Sequence, residues 1–206
     1  ALQELAFKHP SYGFRKLFAY LRRSAKPWNH KKVYRVYKLL KLNKKRRGKR
    51  RLPARVKQPL IQQERINNSW SMDFMSDSLV DGRRFRLLNV MDDYNRESLA
   101  IEVDTSLPTL RVIRVLERLV ENRGTPESIR MDNGPEFISE KIQSWAKRQG
   151  IILLYIQPGH PEQNAYIERY NRTMREELLN QYLFESLGEV QDQATEWLWQ
   201  YNHNRP

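Results

Sequence analysis

The sequence predicts an α/β architecture: a mixed five-stranded sheet flanked by helices, preceded by a small basic all-helical domain and an extended linker. Three observations predict it. Charge is segregated, since residues 1–69 carry 21 of the 37 Lys and Arg with only Glu4 and Glu64 as acids, whereas residues 70–206 carry 22 acids against 16 bases. Hydrophobic spacing is helical before residue 42 and switches to strand-like alternation at Trp70. Beyond Trp70 the segments run strand, strand, strand, helix, strand, helix, strand, helices. A meander followed by crossovers builds a mixed sheet with helices on both faces.

The boundaries are 1–42 for the basic module, 43–69 for the linker and 70–206 for the α/β domain. In GFRKLFAYLRRS, residues 13–24, Phe14, Leu17, Phe18 and Leu21 recur at three- and four-residue steps, which predicts an amphipathic helix. In PWNHKKVYRVYKLLKL, Asn29 is suited to cap a second helix whose stripe is Val33, Val36, Tyr37 and Leu40. Lys31, Lys32, Arg35 and Lys38 decorate the remainder. Short basic helices joined by a brief turn fit a DNA-binding helix-turn-helix module, with nothing to choose which helix enters a groove. From 43 to 69 apolar periodicity vanishes. Lys44, Lys45, Arg46, Arg47, Lys49, Arg50, Arg51 and Arg55 repel one another there unless phosphates neutralise them, so this tract is expected to follow a DNA backbone.

In SWSMDFMS, Trp70, Met72 and Phe74 alternate with Ser71, Asp73 and Met75, giving a strand with an acid in its interior. RRFRLLNVMDDYN and ESLAIEVD supply two further strands after the Asp81-Gly82 turn. A helix follows, with Leu110, Ile113, Leu116, Leu119 and Val120 as its stripe and Gly124 as its stop. ESIRM is a fourth strand ending at Asp132, ISEKIQSWAKRQG a helix and IILLYI a fifth strand. After the loop QPGHPEQN, one long helix spans 164 to about 182 and a last one roughly 187 to 200. This order suits the ribonuclease-H-like fold.

The basic excess favours a polyanionic partner, nucleic acid ahead of an anionic membrane. No window approaches 18 consecutive apolar residues, and no signal-type hydrophobic run follows the basic stretches, so a membrane-spanning or exported chain is not expected. The lack of cysteine excludes disulfides and thiolate zinc sites and fits a reducing, cytoplasmic setting. Alanine at position 1 and the terminal YNHNRP read as cuts in a longer polypeptide.

Three acids are candidate metal ligands. Asp73 sits inside a strand, where a carboxylate is costly unless solvated or given a partner. If the first and fourth strands are neighbours, Asp73 lies beside the end of the strand bearing Asp132, and sites in such sheets gather at strand ends. The competing reading of Asp132 is a turn residue. Asn133, Gly134 and Pro135 break the strand, Gly134 is free to take a left-handed backbone, and Glu136 suits the first turn of the next helix. Glu168 is the third acid. Asn164, Glu168, Asn171, Arg172 and Arg175 follow at three- and four-residue steps and predict one polar helix face, with Tyr166, Ile167, Tyr170 and Met174 mostly packing elsewhere. Arg172, at i+4, offers Glu168 a plain ion pair as the bland alternative. Three acids on adjacent elements bind divalent ions through hard oxygens. Two Mg2+ ions about 4 Å apart would activate a water or a 3′-hydroxyl and stabilise the leaving oxygen. Arg172 and Arg175 would then meet phosphates.

Asp92 and Asp93 are expected to shape a turn, and Glu117 or Glu121 stays open as a fourth acid. His9, His30, His160 and His203 show no metal-ligand spacing, although His160, in the loop before the Glu168 helix, is placed to touch DNA or a leaving group. Trp28, Trp145, Trp197 and Trp199 are expected to pack.

SMDFM, RMDNGPEF and QPGHPEQNAYIERYNRTMREE closely resemble the catalytic domain of bacterial insertion-sequence transposases of the IS-three family, within the retroviral-integrase-like superfamily. The likeness runs over about residues 10–206. The 35 residues between Asp132 and Glu168 match the superfamily's interval, and NAYIERYNR and YNHNRP are narrower marks. The resemblance implies Asp73, Asp132 and Glu168 as catalytic acids holding Mg2+, with Mn2+ able to substitute. Asn133 and Gly134 then form the supporting turn, and Asn164 and Arg172 line the helix face of the third acid. The N-terminal basic helices resemble the segment preceding the catalytic domain in the family's second reading frame. The implied activity is to bind terminal inverted repeats in double-stranded DNA, cleave one strand to expose a 3′-hydroxyl and join it near the other end. The circle made after replication is then inserted into target DNA. Holding two ends implies a homodimer or larger synaptic assembly, in the bacterial nucleoid. The sequence departs from the family at His160 and Glu162, where PGKPQQN is usual, and at Met131, where Cys or Ser is common. The family's upstream frame and usual tail fall outside these residues. Two readings compete: a ribonuclease-H-like nuclease without strand transfer, which should require a fourth acid, and a non-catalytic DNA-binding regulator.

Overall fold

The computed structural model describes residues 1–24, 26–43, 63–157 and 161–204. They fall into two compact units, one before residue 44 and one from residue 63 onward. Lys44, Lys45, Arg46, Arg47, Lys49, Arg50, Arg51 and Arg55 of the expected basic tract lie outside the described residues, as does His160.

In the first unit α1 (Leu2–Lys8), α2 (Phe14–Arg23) and α3 (His30–Leu39) enclose a core of Leu2, Leu17, Leu21, Val33 and Tyr37. α1 adds to the expected pair, because seven residues are too few for a helical period to stand out. Asn29 caps α3 as expected, its side chain accepting from the Lys31 N–H. Val36 departs from the stripe and faces outward. Lys31, Lys32, Arg35 and Lys38 are exposed along α3.

The second unit is a five-stranded sheet of order β3-β2-β1-β4-β5, built from β1 (Ser69–Ser78), β2 (Arg84–Asp92), β3 (Ser98–Asp104), β4 (Ser128–Met131) and β5 (Ile152–Tyr155). β1, β2 and β3 are antiparallel, and β4 and β5 continue parallel to β1. Short turns serve the meander, whereas each parallel return needs a crossover helix. These helices are α4 (Thr109–Arg123) and α5 (Glu140–Gln149). The opposite face is covered by α6 (Ala165–Met174), which runs on into a π-helical turn Arg175–Leu179, and by α7 (Leu187–His203).

Strand alternation divides the core in two. Trp70, Met72, Leu88, Val90, Ile129 and Met131 pack with α4 and α5, while Met75, Phe85, Leu87, Met91, Ile101 and Val103 pack with α6 and α7. Each large apolar side chain so buried contributes about 1.5–3 kcal/mol, and a one-residue slip would reverse the faces, so register is tightly set.

Three expectations are corrected. The buried stripe of α4 is Val112, Ile113, Val115, Leu116 and Leu119, while Leu110 points out at 53 % exposure. Trp145 is buried and Trp197 packs on Tyr170 and Tyr201, but Trp28 and Trp199 are exposed. The end of the expected linker is folded onto the sheet. Asn67 donates its N–H to Asp92 Oδ2 and its amide to the Arg123 carbonyl, and accepts from the Trp70 indole.

The edge strand β3 is capped by side-chain amides of α7. Gln191 accepts from the Val103 N–H and donates to the Ile101 carbonyl, and Asn202 accepts from the Ser98 N–H and donates to the Ser98 carbonyl, all at 2.9–3.0 Å. Among the described residues no helix is long and apolar enough to cross a membrane.

Candidate active site

β1 and β4 lie side by side with Ser71 opposite Arg130. Two residues farther along each chain stand Asp73 and Asp132, both on the face that α6 covers. The acid inside the first strand and the acid after the fourth are thus neighbours. Asp73 is half-buried. Its Oδ1 accepts from the Phe74 N–H and its Oδ2 from Asn171 Nδ2, both at 2.8 Å. Burial raises its pKa from 3.8 to about 6; the Phe74 hydrogen bond opposes that rise, and the charges of Asp132 and Glu168 add to it.

Asp132 is also the turn residue that its neighbours implied. The Gly134 N–H donates to its Oδ1 at 2.8 Å, and Asn133 ties the turn to the end of β5 by donating to the Ile156 carbonyl. The expected left-handed backbone at Gly134 is not found, since among the described residues the positive-φ glycines are Gly82, Gly124 and Gly150. What glycine supplies is room: a Cβ there would lie 2.9 Å from Asp132 Oδ1. Glu136 precedes the next helix instead of opening it, and pairs with Arg86.

The expected single polar face of α6 is split. Glu168 and Arg172 are exposed and not paired with each other among the described residues. Asn164 and Asn171 are buried, at 3 % and 9 % exposure, which removes Asn164 from the surface a phosphate could reach. Arg175 is held to Asp77 Oδ2 at 3.1 Å and to the Ser76 carbonyl at 2.9 Å. Tyr166 is stacked under the Arg96 guanidinium, while Ile167, Tyr170 and Met174 pack on the sheet as expected.

Other acids serve the frame. Asp92 and Asp93 are fully buried at the β2–β3 turn. Asp92 accepts from the Tyr94 N–H; Asp93 accepts from Ser71 Oγ at 2.6 Å and Arg130 Nη1 at 3.0 Å. Burial raises the Asp93 pKa, against the pull of Ser71 and Arg130. Glu117 and Glu121 stand on the outer side of α4, against the sheet face opposite Asp73. Glu117 lines a cleft of about 580 Å³ with Arg114, Lys141 and Arg148.

One residue escaped the sequence reading. Asn89 on β2 is the cross-strand partner of Asp73 and donates to Asn171 Oδ1 at 2.7 Å, inside the protein. The signal was available, since Asn89 is the lone polar residue within LLNVM.

Among the described residues no three acidic or histidine side chains converge closely enough to hold an ion. Asp73, Asp132 and Glu168 are near enough that the latter two charges act on the first. An all-oxygen set of three like charges fits a hard divalent cation better than zinc.

Residues 63–161 and 149–206 match models of the integrase core domain, and residues 2–50 match an HTH-like domain. The chain is 41 % identical over 205 residues to a protein of insertion element IS476 from Xanthomonas euvesicatoria, covering all of this chain and 59 % of that one. It is 39 % identical over 205 residues to a protein of insertion element IS407 from Burkholderia multivorans, again along its whole length and over 74 % of the relative. The integrase catalytic core of HTLV-2, solved in complex with magnesium, aligns with 67 % of this chain and 88 % of its own at a TM-score of 0.55 and 20 % identity. That likeness shows a common ribonuclease-H-like fold. With an integrase core behind a helix-turn-helix-like domain and insertion-element relatives along its full length, the chain belongs to the IS-three family of insertion-sequence transposases.

Proposed function

We propose that this chain cuts and joins DNA at the ends of its element. It binds the terminal inverted repeats, cleaves one strand to expose a 3′-hydroxyl, transfers that hydroxyl near the other end, and later inserts the excised circle into target DNA. The observation that carries this reading is the adjacency of Asp73, on β1, and Asp132, just past the end of the parallel strand β4, within electrostatic reach of Glu168. Asp73, Asp132 and Glu168 would hold two Mg2+ ions, or Mn2+ in their place. Bound there, the ions supply Lewis-acid activation of the attacking oxygen and neutralise the leaving one.

The chain's own residues do the rest. The Gly134 N–H holds the Asp132 carboxylate in one orientation. Arg172, exposed one turn beyond Glu168, meets a DNA phosphate. Water and a 3′-hydroxyl are alike as nucleophiles at phosphorus, so one triad serves both cleavage and joining. We assign double-stranded DNA binding to Lys31, Lys32, Arg35 and Lys38 of the 1–42 module, and to the basic residues of 43–69. A homodimer or larger assembly brings two ends together. A nuclease without joining finds no support in a fourth acid, because Glu117 and Glu121 sit on the outer side of α4.

The test is incubation of the chain with paired end-sequence oligonucleotides and Mg2+, followed by sizing of the strands. Asp73→Asn, Asp132→Asn and Glu168→Gln are each expected to bind DNA yet neither cleave nor join. Joining at the wild-type level in any of them refutes that residue's assignment, and nicked product without joined product favours the nuclease.

A further inference from the structure

Asn89 lies in the middle of the sheet with its side chain completely buried, between Leu88 and Val90 and directly across from Asp73. Its Nδ2 donates to Asn171 Oδ1 at 2.7 Å, and Asn171 Nδ2 donates onward to Asp73 Oδ2 at 2.8 Å. The Oδ1 of Asn89 has no hydrogen-bond partner among the described residues. An orphaned buried acceptor costs about 1–3 kcal/mol, so packing alone would favour leucine there.

The direction of the relay explains the asparagine. A primary amide is nearly symmetric in shape, and Asn171 could present either end to Asp73. With Oδ1 toward Asp73, an acceptor would face a carboxylate. Asn89 prevents this by offering a donor to Asn171 from below, so the Asn171 oxygen is drawn to β2 and its N–H group is left for Asp73. The relay also ties α6, which carries Glu168 one turn earlier, to the β1–β2 pair.

We propose that Asn89 is a positioning residue that sets the polarity of the Asn171 amide and thereby holds the Asp73 carboxylate and the Glu168 helix in register for ion binding. The inference rests on the reading that Asp73 and Glu168 hold the ion. Asn89, buried inside the sheet, touches neither DNA nor ion and acts only through Asn171.

The test uses the full chain and Mn2+ alone, with binding followed by calorimetry and folding by urea unfolding. Asn89→Leu removes the donor while keeping the branched shape, and Asn89→Ser shortens it without adding apolar bulk. Both are expected to fold and to weaken Mn2+ binding about tenfold or more. Asn171→Leu is expected to weaken it at least as much, and the Asn89→Leu/Asn171→Leu double variant no further than Asn171→Leu. Mn2+ affinity within twofold of wild type in a folded Asn89→Leu or Asn89→Ser protein overturns the inference if Asp73→Asn abolishes binding. Fully additive losses in the double variant overturn it as well, by showing that Asn89 does not act through Asn171. Unchanged Mn2+ binding in Asp73→Asn would instead overturn the metal-site reading beneath it.

Discussion

Asp73→Asn should stabilise the metal-free protein while abolishing its chemistry. The Asp73 carboxyl is held at a pKa of about 6 against 3.8 when unfolded, with burial as the main cause and the charges of Asp132 and Glu168 adding to it. Because the folded value is the higher, the ionised form opposes folding. The penalty is absent below 3.8, grows between 3.8 and 6, and is constant above 6. At about 1.4 kcal/mol per pH unit it reaches about 3 kcal/mol at neutral pH. Asparagine removes that charge but brings one acceptor where the carboxylate has two. The Phe74 N–H and the Asn171 amide then compete for it, at a cost of about 1 kcal/mol. The net gain is about 2 kcal/mol, an upward shift of about 1 M in the urea midpoint. Urea unfolding in EDTA at about pH 8 and again at about pH 4.5 measures it, and at the lower pH the gain should have disappeared. A variant no more stable than wild type at pH 8, or equally favoured at both pH values, refutes the reasoning.

Gly134→Ala would bring a Cβ to within 2.9 Å of Asp132 Oδ1, and should cost about 1–3 kcal/mol in unfolding experiments while lowering strand joining more than tenfold through misplacement of the carboxylate. Arg130→Met removes the cation paired directly with the buried Asp93 carboxylate, leaving only the charge of Arg96 acting on it, and should destabilise by about 3 kcal/mol at neutral pH. Since burial already raises the Asp93 pKa, the loss should shrink on acidification as the group is protonated, and a pH-independent loss in urea melts would argue against this origin. Tyr170→Phe removes a buried hydroxyl contact to Ser98 Oγ and should cost about 1 kcal/mol by urea titration, with DNA cleavage retained.

The sheet was legible because strands alternate with a period of two: Trp70, Met72 and Phe74 alternating with Ser71, Asp73 and Met75 announce a strand, and the Asn-Gly-Pro break marks where β4 stops. The helix face was less so. At about 100° per residue, Asn171 falls about 60° from Glu168 and beside Ile167 and Met174, on the border between the buried and solvated sides. A residue on that border goes under or stays out according to what lies beneath it, here Asn89 and Asp73, and helical spacing carries no such information. The same limit misplaced Asn164 and exchanged Leu110 for Val112 and Val115 in α4. Gly134 was singled out correctly for the wrong reason, because the clash it avoids involves a side chain two residues away.

The amides of Gln191 and Asn202 bear on how copies of this chain can meet. By occupying the free N–H and C=O groups of Ser98, Ile101 and Val103, α7 imitates a sixth strand and terminates the sheet at that margin. Strand addition at β3 is thereby closed to any second copy of the chain, including those of the proposed assembly on DNA. Contacts between copies on that side have to be made by helix surfaces, whose side chains set the geometry, and the open-ended stacking of a bare strand is avoided.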